Sequence, residues 1–249
     1  MKAISIPREK GELVVCESAG ELGRKSAEFF AEAAGAAVQR TGSFSVALSG
    51  GSTPALMYRA LLSQELRDRV PWAKGEYFWS DERCVPPDHP ESNYGLAKRE
   101  LLSKVPVRRE CVHRMKGEEE PERAAADYEQ ELRRVFRDVA LPRFDLMILG
   151  LGANGHTASL FPGSSALNET RRWTVASYVE ELKAYRLTFT FPVINAARHV
   201  VFVISGKEKA PALRQVLRGG GAPVPAERVH PVEGKLIWFV EEAAAAELE

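Results

Sequence analysis

The chain has 249 residues, 45% of them hydrophobic and 8% aromatic, enough to bury a full core; one α/β domain over residues 1–249 is expected. Lysine plus arginine and aspartate plus glutamate both number 34, so the formal charge is zero and nothing general attracts nucleic acid or an anionic membrane. Any anion must be held locally. The sequence has no N-terminal apolar leader with a cleavage site and no apolar run long enough to span a bilayer. Cys16, Cys84 and Cys111 form an odd set without CxxC or zinc-like spacing, which suits reduced thiols in a cytoplasmic protein.

In chain order, ELVVCES (12–18) reads as a strand, and Ser18 caps a long helix that packs through its alanines, Phe29 and Phe30 and stops at Gly42. FSVALS (44–49) is a second, buried strand. It ends in Gly50, Gly51, Ser52, Thr53 and Pro54, and ALMYRALLSQEL (55–66) then repeats leucine at helical spacing. With Thr53 as N-cap and Pro54 as the first helical residue, the turn presents its amides at a helix N-terminus suited to phosphate. Two glycines also suffice for a plain tight turn. No Gly-Lys-Ser/Thr follows and no GxGxxG is present, which argues against ATP and dinucleotides.

GEYFWS (75–80) is a third strand and runs into Asp81, Glu82 and Arg83, either a solvated loop or a ligand site at a strand's C-terminal end. Ser92 or Asn93 starts the helix NYGLAKRELL (93–102). Residues 118–138 form a charged surface helix with Glu129 and Arg133 one turn apart. FDLMIL (144–149) is apolar throughout, as a strand covered on both faces must be. Gly150, Gly152 and Gly155 make the turn after it, and His156 stands where HTASLF (156–161) starts a short helix ended by Pro162 and Gly163. A helix dipole would keep that ring neutral, the base form. Read alone, His156 serves equally well as a hydrogen-bonding loop residue.

WTVASYV (173–179) and RLTFTF (186–191) read as strands, and Pro192 opens a short helical turn. HVVFVIS (199–205) is another buried strand, after which Gly206, Lys207 and Lys209 lead into the helix PALRQVL (211–217). GGGAPVPAE (219–227) reads as a flexible surface loop, KLIWFV (235–240) as the last strand and EEAAAAELE (241–249) as a terminal helix. The alternation implies right-handed crossovers and a single three-layer, Rossmann-like α/β domain with a mainly parallel sheet flanked by helices. Among the other histidines, His89 lies in the loop after the acidic cluster, while His113, His199 and His230 read as structural or surface residues without a metal pattern. Cys84 is not expected to be a nucleophile, and Trp79 reads as a packing residue.

Four segments in order, LSGGSTP, WSDERCVPPDHPESN, GLGANGHTASLFPGS and RLTFTFPVINAARHVVFVISGKEKA, resemble the 6-phosphogluconolactonase family, a group related in fold to glucosamine-6-phosphate isomerase/deaminase. The similarity spans nearly the full length. It implies hydrolysis of 6-phospho-D-glucono-1,5-lactone in the oxidative pentose phosphate pathway, without metal or cofactor. The implied partner is the small phosphosugar lactone alone, and the implied state a monomer or small homo-oligomer. Gly50, Gly51, Ser52 and Thr53 would hold the substrate phosphate, with Arg186 and Lys209 as charged partners; Lys209 is chosen over Lys207 because it fits G-x-x-K-A. Asp81 and Arg83 would lie over the sugar, Arg83 stabilising the tetrahedral intermediate, and His156 would be the general base. Ser49, Ser52 and Ser159 have no required nucleophilic role.

One position departs from the family pattern: an aspartate usually stands two residues before the histidine, and this chain has Asn154. An asparagine accepts a hydrogen bond but does not stabilise an imidazolium as a carboxylate does. Asp81 or Glu82 is the candidate to compensate, and Asn154→Asp is expected to maintain or raise activity. Two other readings compete. A deaminase-type isomerase would carry the glutamate of FNEPGSS, where this chain has Ser159, Leu160, Phe161 and Pro162. A non-catalytic sugar-phosphate sensor would need a DNA-reading segment, and neither a helix-turn-helix nor a basic patch is evident.

Overall fold

The computed structural model describes residues 4–248; residues 1–3 and 249, which the expected domain and terminal helix include, lie outside them. The strands in chain order are β1 (Glu12–Cys16), β2 (Phe44–Leu48), β3 (Gly75–Trp79), β4 (Asp81–Arg83), β5 (Leu146–Leu149), β6 (Thr174–Val179), β7 (Ala184–Phe189), β8 (His199–Ile204) and β9 (Lys235–Glu241). Six of them form one sheet in the order β1-β9-β8-β5-β2-β3, with every neighbouring pair parallel. β4, β7 and β6 form a second, antiparallel sheet.

The helices are α1 (Ala19–Thr41), α2 (Ser52–Ala60), α3 (Gln64–Arg69), α4 (Asn93–Glu100), α5 (Pro121–Val135), α6 (Phe191–Ala196), α7 (Ala210–Arg218) and α8 (Glu242–Ala245). The unbroken apolar runs divide by parity, as strands with two covered faces require. Val46, Leu48, Ile148, Val201 and Phe239 pack with α1 to α4 on one side. Ala47, Met147, Leu149, Phe202 and Trp238 pack with α5 to α8 and the small sheet on the other. This gives the three layers. Among the described residues, no helix is long and apolar enough to cross a membrane.

Several local expectations need correction. Asp81–Arg83 is a strand: after β3 the Ser80 amide bonds Leu48 O at 2.9 Å, and the chain then pairs with Arg186–Thr188 of β7. The helix expected over 55–66 is two helices, because Leu62 and Ser63 close short i to i+3 bonds to Arg59 and Ala60. The charged helix starts only at Pro121, where the Glu120 carboxylate accepts the amides of Glu122 and Arg123. It is also more than a surface helix: Tyr128 is buried and its hydroxyl accepts the Trp79 amide at 3.0 Å. Other expectations hold, including the Ser18 cap on Glu21 and the left-handed Gly42 that ends α1.

Candidate active site

β8, β5 and β2 are neighbours at the centre of the large sheet, so the segments leaving their C-terminal ends meet, as ligand-binding crevices of open α/β sheets do. With Asp81 and Arg83 from β4, they enclose about 280 Å³. Gly50, Gly51, Ser52 and Thr53 form one part of the wall, and Asp81, Arg83, His156 and Lys209 others. Arg186 is off the wall; it stands opposite Arg83 in the β4–β7 register, and Nη1 donates to Tyr185 O at 2.9 Å. Burial, then the neighbouring Arg83 charge, pulls its pKa down.

The glycine turn differs from the expected one by two residues. Gly51 is the N-cap, at φ 97°, and Ser52 rather than Pro54 opens α2. Pro54 still falls in the first turn, where a missing N–H costs nothing. No side chain caps this end and its first turn holds no acid, an arrangement suited to an anion. Gly50 is required by crowding: a Cβ there would lie 1.7 Å from Asn93 Oδ1. Asn93 is 2% exposed, donates from Nδ2 to Asp81 O at 2.9 Å, and leaves Oδ1 without a partner. In the sequence Asn93 shows only as a helix start; its place beside Asp81 and Gly50 depends on contacts across 12 and 43 positions that periodicity does not carry.

The helix expected after His156 does not form. Residues 150–160 make a closed turn instead, through Gly152 N–H to His156 O (2.9 Å), Gly155 N–H to Gly152 O (2.9 Å) and Thr157 hydroxyl to Gly150 O (3.0 Å). The supposedly flexible loop 219–227 braces it: the Ala226 amide bonds Gly155 O at 3.0 Å, and Val224 packs so closely that a Cβ on Gly155 would approach it to 2.4 Å. Without a helix there is no dipole on the ring. Burial, followed by the charges of Lys209, Arg83 and Arg186, holds His156 down at about 4, so the ring is neutral at pH 7 for a different reason.

The imidazole stacks on Phe161, centroids 4.0 Å apart and planes 20° from parallel. Asn154 Oδ1 accepts both the His156 amide (3.2 Å) and ring Nδ1 (2.6 Å). Nδ1 therefore carries the proton and Nε2 the lone pair. Neither Asp81 nor Glu82 supplies the missing carboxylate. Asp81 accepts the Ser159 hydroxyl at 2.7 Å, and burial pushes its pKa up. Glu82 accepts the amides of Arg83 (2.8 Å), Asn93 (2.7 Å) and Tyr94 (2.8 Å) and the Ser92 hydroxyl (3.1 Å), which anchors the start of α4. It is a structural residue here, with no bond to the imidazole.

Cys84 is half-buried, and burial pushes its thiol up to about 11, so little thiolate exists at neutral pH. His89 accepts the Glu91 amide at 3.2 Å within its own loop. His113 is buried between Glu131 (2.5 Å) and Glu76 (2.7 Å), away from the cavity.

A family model for glucosamine-6-phosphate isomerases/6-phosphogluconolactonase matches residues 17–238. A 6-phosphogluconolactonase of Nostoc sp. is 40% identical over 217 residues, 85% of this chain and 88% of its own. The chloroplastic 6-phosphogluconolactonase 3 of Arabidopsis thaliana is 39% identical over 231 residues, 89% of this chain and 70% of its own. Among solved structures, 6-phosphogluconolactonase from Trypanosoma brucei superposes with a TM-score of 0.86 at 27% identity, over 98% of this chain and 100% of that one. A monomeric glucosamine-6-phosphate deaminase shares the fold, with a TM-score of 0.79 at 21% identity over 95% and 99% of the two chains. By sequence and by fold, the chain belongs to the glucosamine-6-phosphate isomerase/6-phosphogluconolactonase family.

Proposed function

We propose that this chain is a lactonase that hydrolyses 6-phospho-D-glucono-1,5-lactone to 6-phospho-D-gluconate in the oxidative pentose phosphate pathway, with His156 as the general base. The observation that carries the mechanism is the neutral imidazole, tied back through Nδ1 to Asn154 and set in the wall of a cavity that also holds an uncapped helix N-terminus and Lys209. The substrate phosphate lies at Gly50, Gly51, Ser52 and Thr53, where backbone amides and Lys209 give it charge-assisted hydrogen bonds. Arg186 adds positive field from beside Arg83, and Asp81 lies over the sugar.

Nε2 of His156 takes a proton from water as the water oxygen bonds to C1 of the lactone. The carbonyl electrons move to oxygen, and Arg83 stabilises that oxyanion. As the tetrahedral intermediate collapses, the bond from C1 to the ring oxygen breaks and the imidazolium returns its proton to that oxygen. The product acid then ionises in water. A positioned base contributes ~10²- to 10⁴-fold, and one oxyanion donor about 2.7 to 4 kcal/mol. An activated ester needs no more than this.

The chain acts, in this reading, as one domain, a monomer or small homo-oligomer, on a small phosphosugar with no nucleic acid or membrane partner. The three free thiols fit a reducing compartment such as the cytoplasm. The test is decay of freshly generated lactone, with the product coupled to 6-phosphogluconate dehydrogenase and the uncatalysed rate subtracted. Wild type should exceed background well, and folded His156→Ala should not. A wild-type rate equal to background removes the lactonase reading; an active His156→Ala removes the base.

A further inference from the structure

We propose that Glu181 is a positioning residue for His156, acting through the side-chain amide of Asn154. The proposal rests on the reading of His156 as the base. The two ends of a side-chain amide look alike in shape, but one accepts hydrogen bonds and the other donates, and a half-turn exchanges them. With Oδ1 toward His156, the proton stays on Nδ1 and Nε2 keeps the lone pair that takes a proton from water. With Nδ2 toward the ring, Nδ1 must accept, the proton moves to Nε2, and the base is lost. An aspartate has no such ambiguity. In this chain the His156 backbone N–H, which only donates, meets Asn154 Oδ1 at 3.2 Å and favours that end, and the other end of the amide is left for a second group to hold.

Glu181 is that second group and locks the choice from the Nδ2 end. Its Oε2 accepts a hydrogen bond from Asn154 Nδ2 at 3.2 Å, while Asn154 Oδ1 accepts from Nδ1 of His156 at 2.6 Å. A carboxylate only accepts, so turning the amide over would set two acceptors against each other on one side and two donors on the other. The same contact draws electron density toward Oδ1, strengthening its bond to the ring as the imidazolium forms. The charged groups that act on the imidazole from the cavity side are Lys209, Arg83 and Arg186, all cations, so the contact that Glu181 makes is to Asn154 and not to the ring.

The backbone supports the placement. Glu181 lies in the single turn Glu180–Leu182 between β6 and β7, and the following Lys183 sits in the left-handed region at φ 47°, which turns the chain back into β7. The tip is thus a tight hairpin end rather than a long loop. Tyr178 and Tyr185 on its two strands pack edge to face, 5.1 Å apart, and hold the ends of the turn together.

The experiment compares Glu181→Gln, Glu181→Ala, Asn154→Asp/Glu181→Ala and His156→Ala in the lactonase assay, with ¹⁵N NMR of the histidine rings on the same proteins. Glu181→Ala should lower kcat about tenfold with KM unchanged, because no group on the cavity wall is altered. Glu181→Gln, whose amide can present a donor as well as an acceptor to Asn154, should fall between wild type and Glu181→Ala. Adding Asn154→Asp to Glu181→Ala should restore most of kcat, since either oxygen of a carboxylate accepts from Nδ1. In the spectra, His156 should hold its proton on Nδ1 in wild type and gain the Nε2–H form in Glu181→Ala. An unchanged kcat in Glu181→Ala, a loss that Asn154→Asp does not repair, or an Nε2–H tautomer in wild type each overturns the proposal. Should His156→Ala remain active, the base reading fails instead, and the ring spectra still decide what Glu181 does to the tautomer.

Discussion

The His156 ring rests against the backbone of Gly152 so closely that a Cβ there would lie 2.1 Å from its Nδ1 and Cε1. Gly152 is not in the left-handed region, so the requirement is for space rather than for an unusual backbone. Gly152→Ala should therefore fold, push the ring off Asn154, and lower kcat by about 100-fold, the effect of a misplacement near 1 Å. Affinity for the product 6-phosphogluconate, measured by inhibition or calorimetry, should change little because the turn proposed to hold the phosphate, Gly50 to Thr53, is unaltered. A variant with full turnover would show that the ring does not need its present seat.

The cations around His156 set its protonation. Burial is the largest cause of its low pKa, near 4, and Lys209 is the next. In Lys209→Met the His156 pKa, followed by NMR in the free protein, should move up toward the ordinary histidine value, while KM rises ~10- to 100-fold for the lost charge-assisted contact to phosphate. A bound phosphate dianion acts in the same direction as the mutation. Inorganic phosphate should raise the wild-type His156 pKa, bringing the base nearer the working pH where proton transfer is most effective. An unmoved or lowered value in Lys209→Met would separate Lys209 from the ring.

How much of this was legible in the sequence depends on the range of the interaction. The apolar runs at 44–48 and 146–149 announce buried strands because burial on both faces removes polar alternation, and the large sheet follows from them. The separate sheet of β4, β7 and β6 was not visible, since Asp81, Glu82 and Arg83 look like a solvated charge run until β7 supplies their partner. The seat of His156 was hidden for a related reason. HTASLF carries acceptable helix formers, but the cross-bonds from Gly152 and Ala226 hold the chain in a turn, and tertiary contacts override so short a propensity signal. Glu181 stands 27 positions from Asn154, on a hairpin tip whose residue types suggest only a turn.

His156 also makes the fold acid-sensitive. Above its unfolded value of 6.5 the ring is neutral in both states and adds no penalty; as pH falls toward about 4 the unfolded chain binds the proton and the folded one does not. At 1.36 kcal/mol per pH unit, the loss by the lower limit is up to ~3 kcal/mol. Urea unfolding at pH 7 and pH 4.5 should show a smaller loss for His156→Gln than for wild type. Asp81 and Glu82, pushed up by burial, act in the opposite sense but are present in both proteins. Glu131, held down near 2 by Arg134 and His113, contributes stability that is lost only below its unfolded value of 4.5. Equal acid losses in the two proteins would mean that His156 is not kept neutral by the fold.

Gly50 and Asn93 make the contact that joins the glycine turn to β4 and α4. A methyl group at position 50 would meet Asn93 Oδ1 at 1.7 Å and Cγ at 2.3 Å, and the neighbour cannot yield easily because Nδ2 is tied to Asp81 O. Gly50→Ala should destabilise the protein by ~1 to 3 kcal/mol, the usual range for overpacking, and raise KM by moving the turn proposed to receive the phosphate. Adding Asn93→Ala removes both of those clashes and leaves only a 3.0 Å contact with its Cβ. The double variant should thus recover part of the melting temperature and part of the KM lost by Gly50→Ala, although Asn93→Ala alone is harmful because it strips Asp81 O of its donor. Losses that simply add in the pair would place the damage of Gly50→Ala in the turn's own backbone rather than in its collision with Asn93.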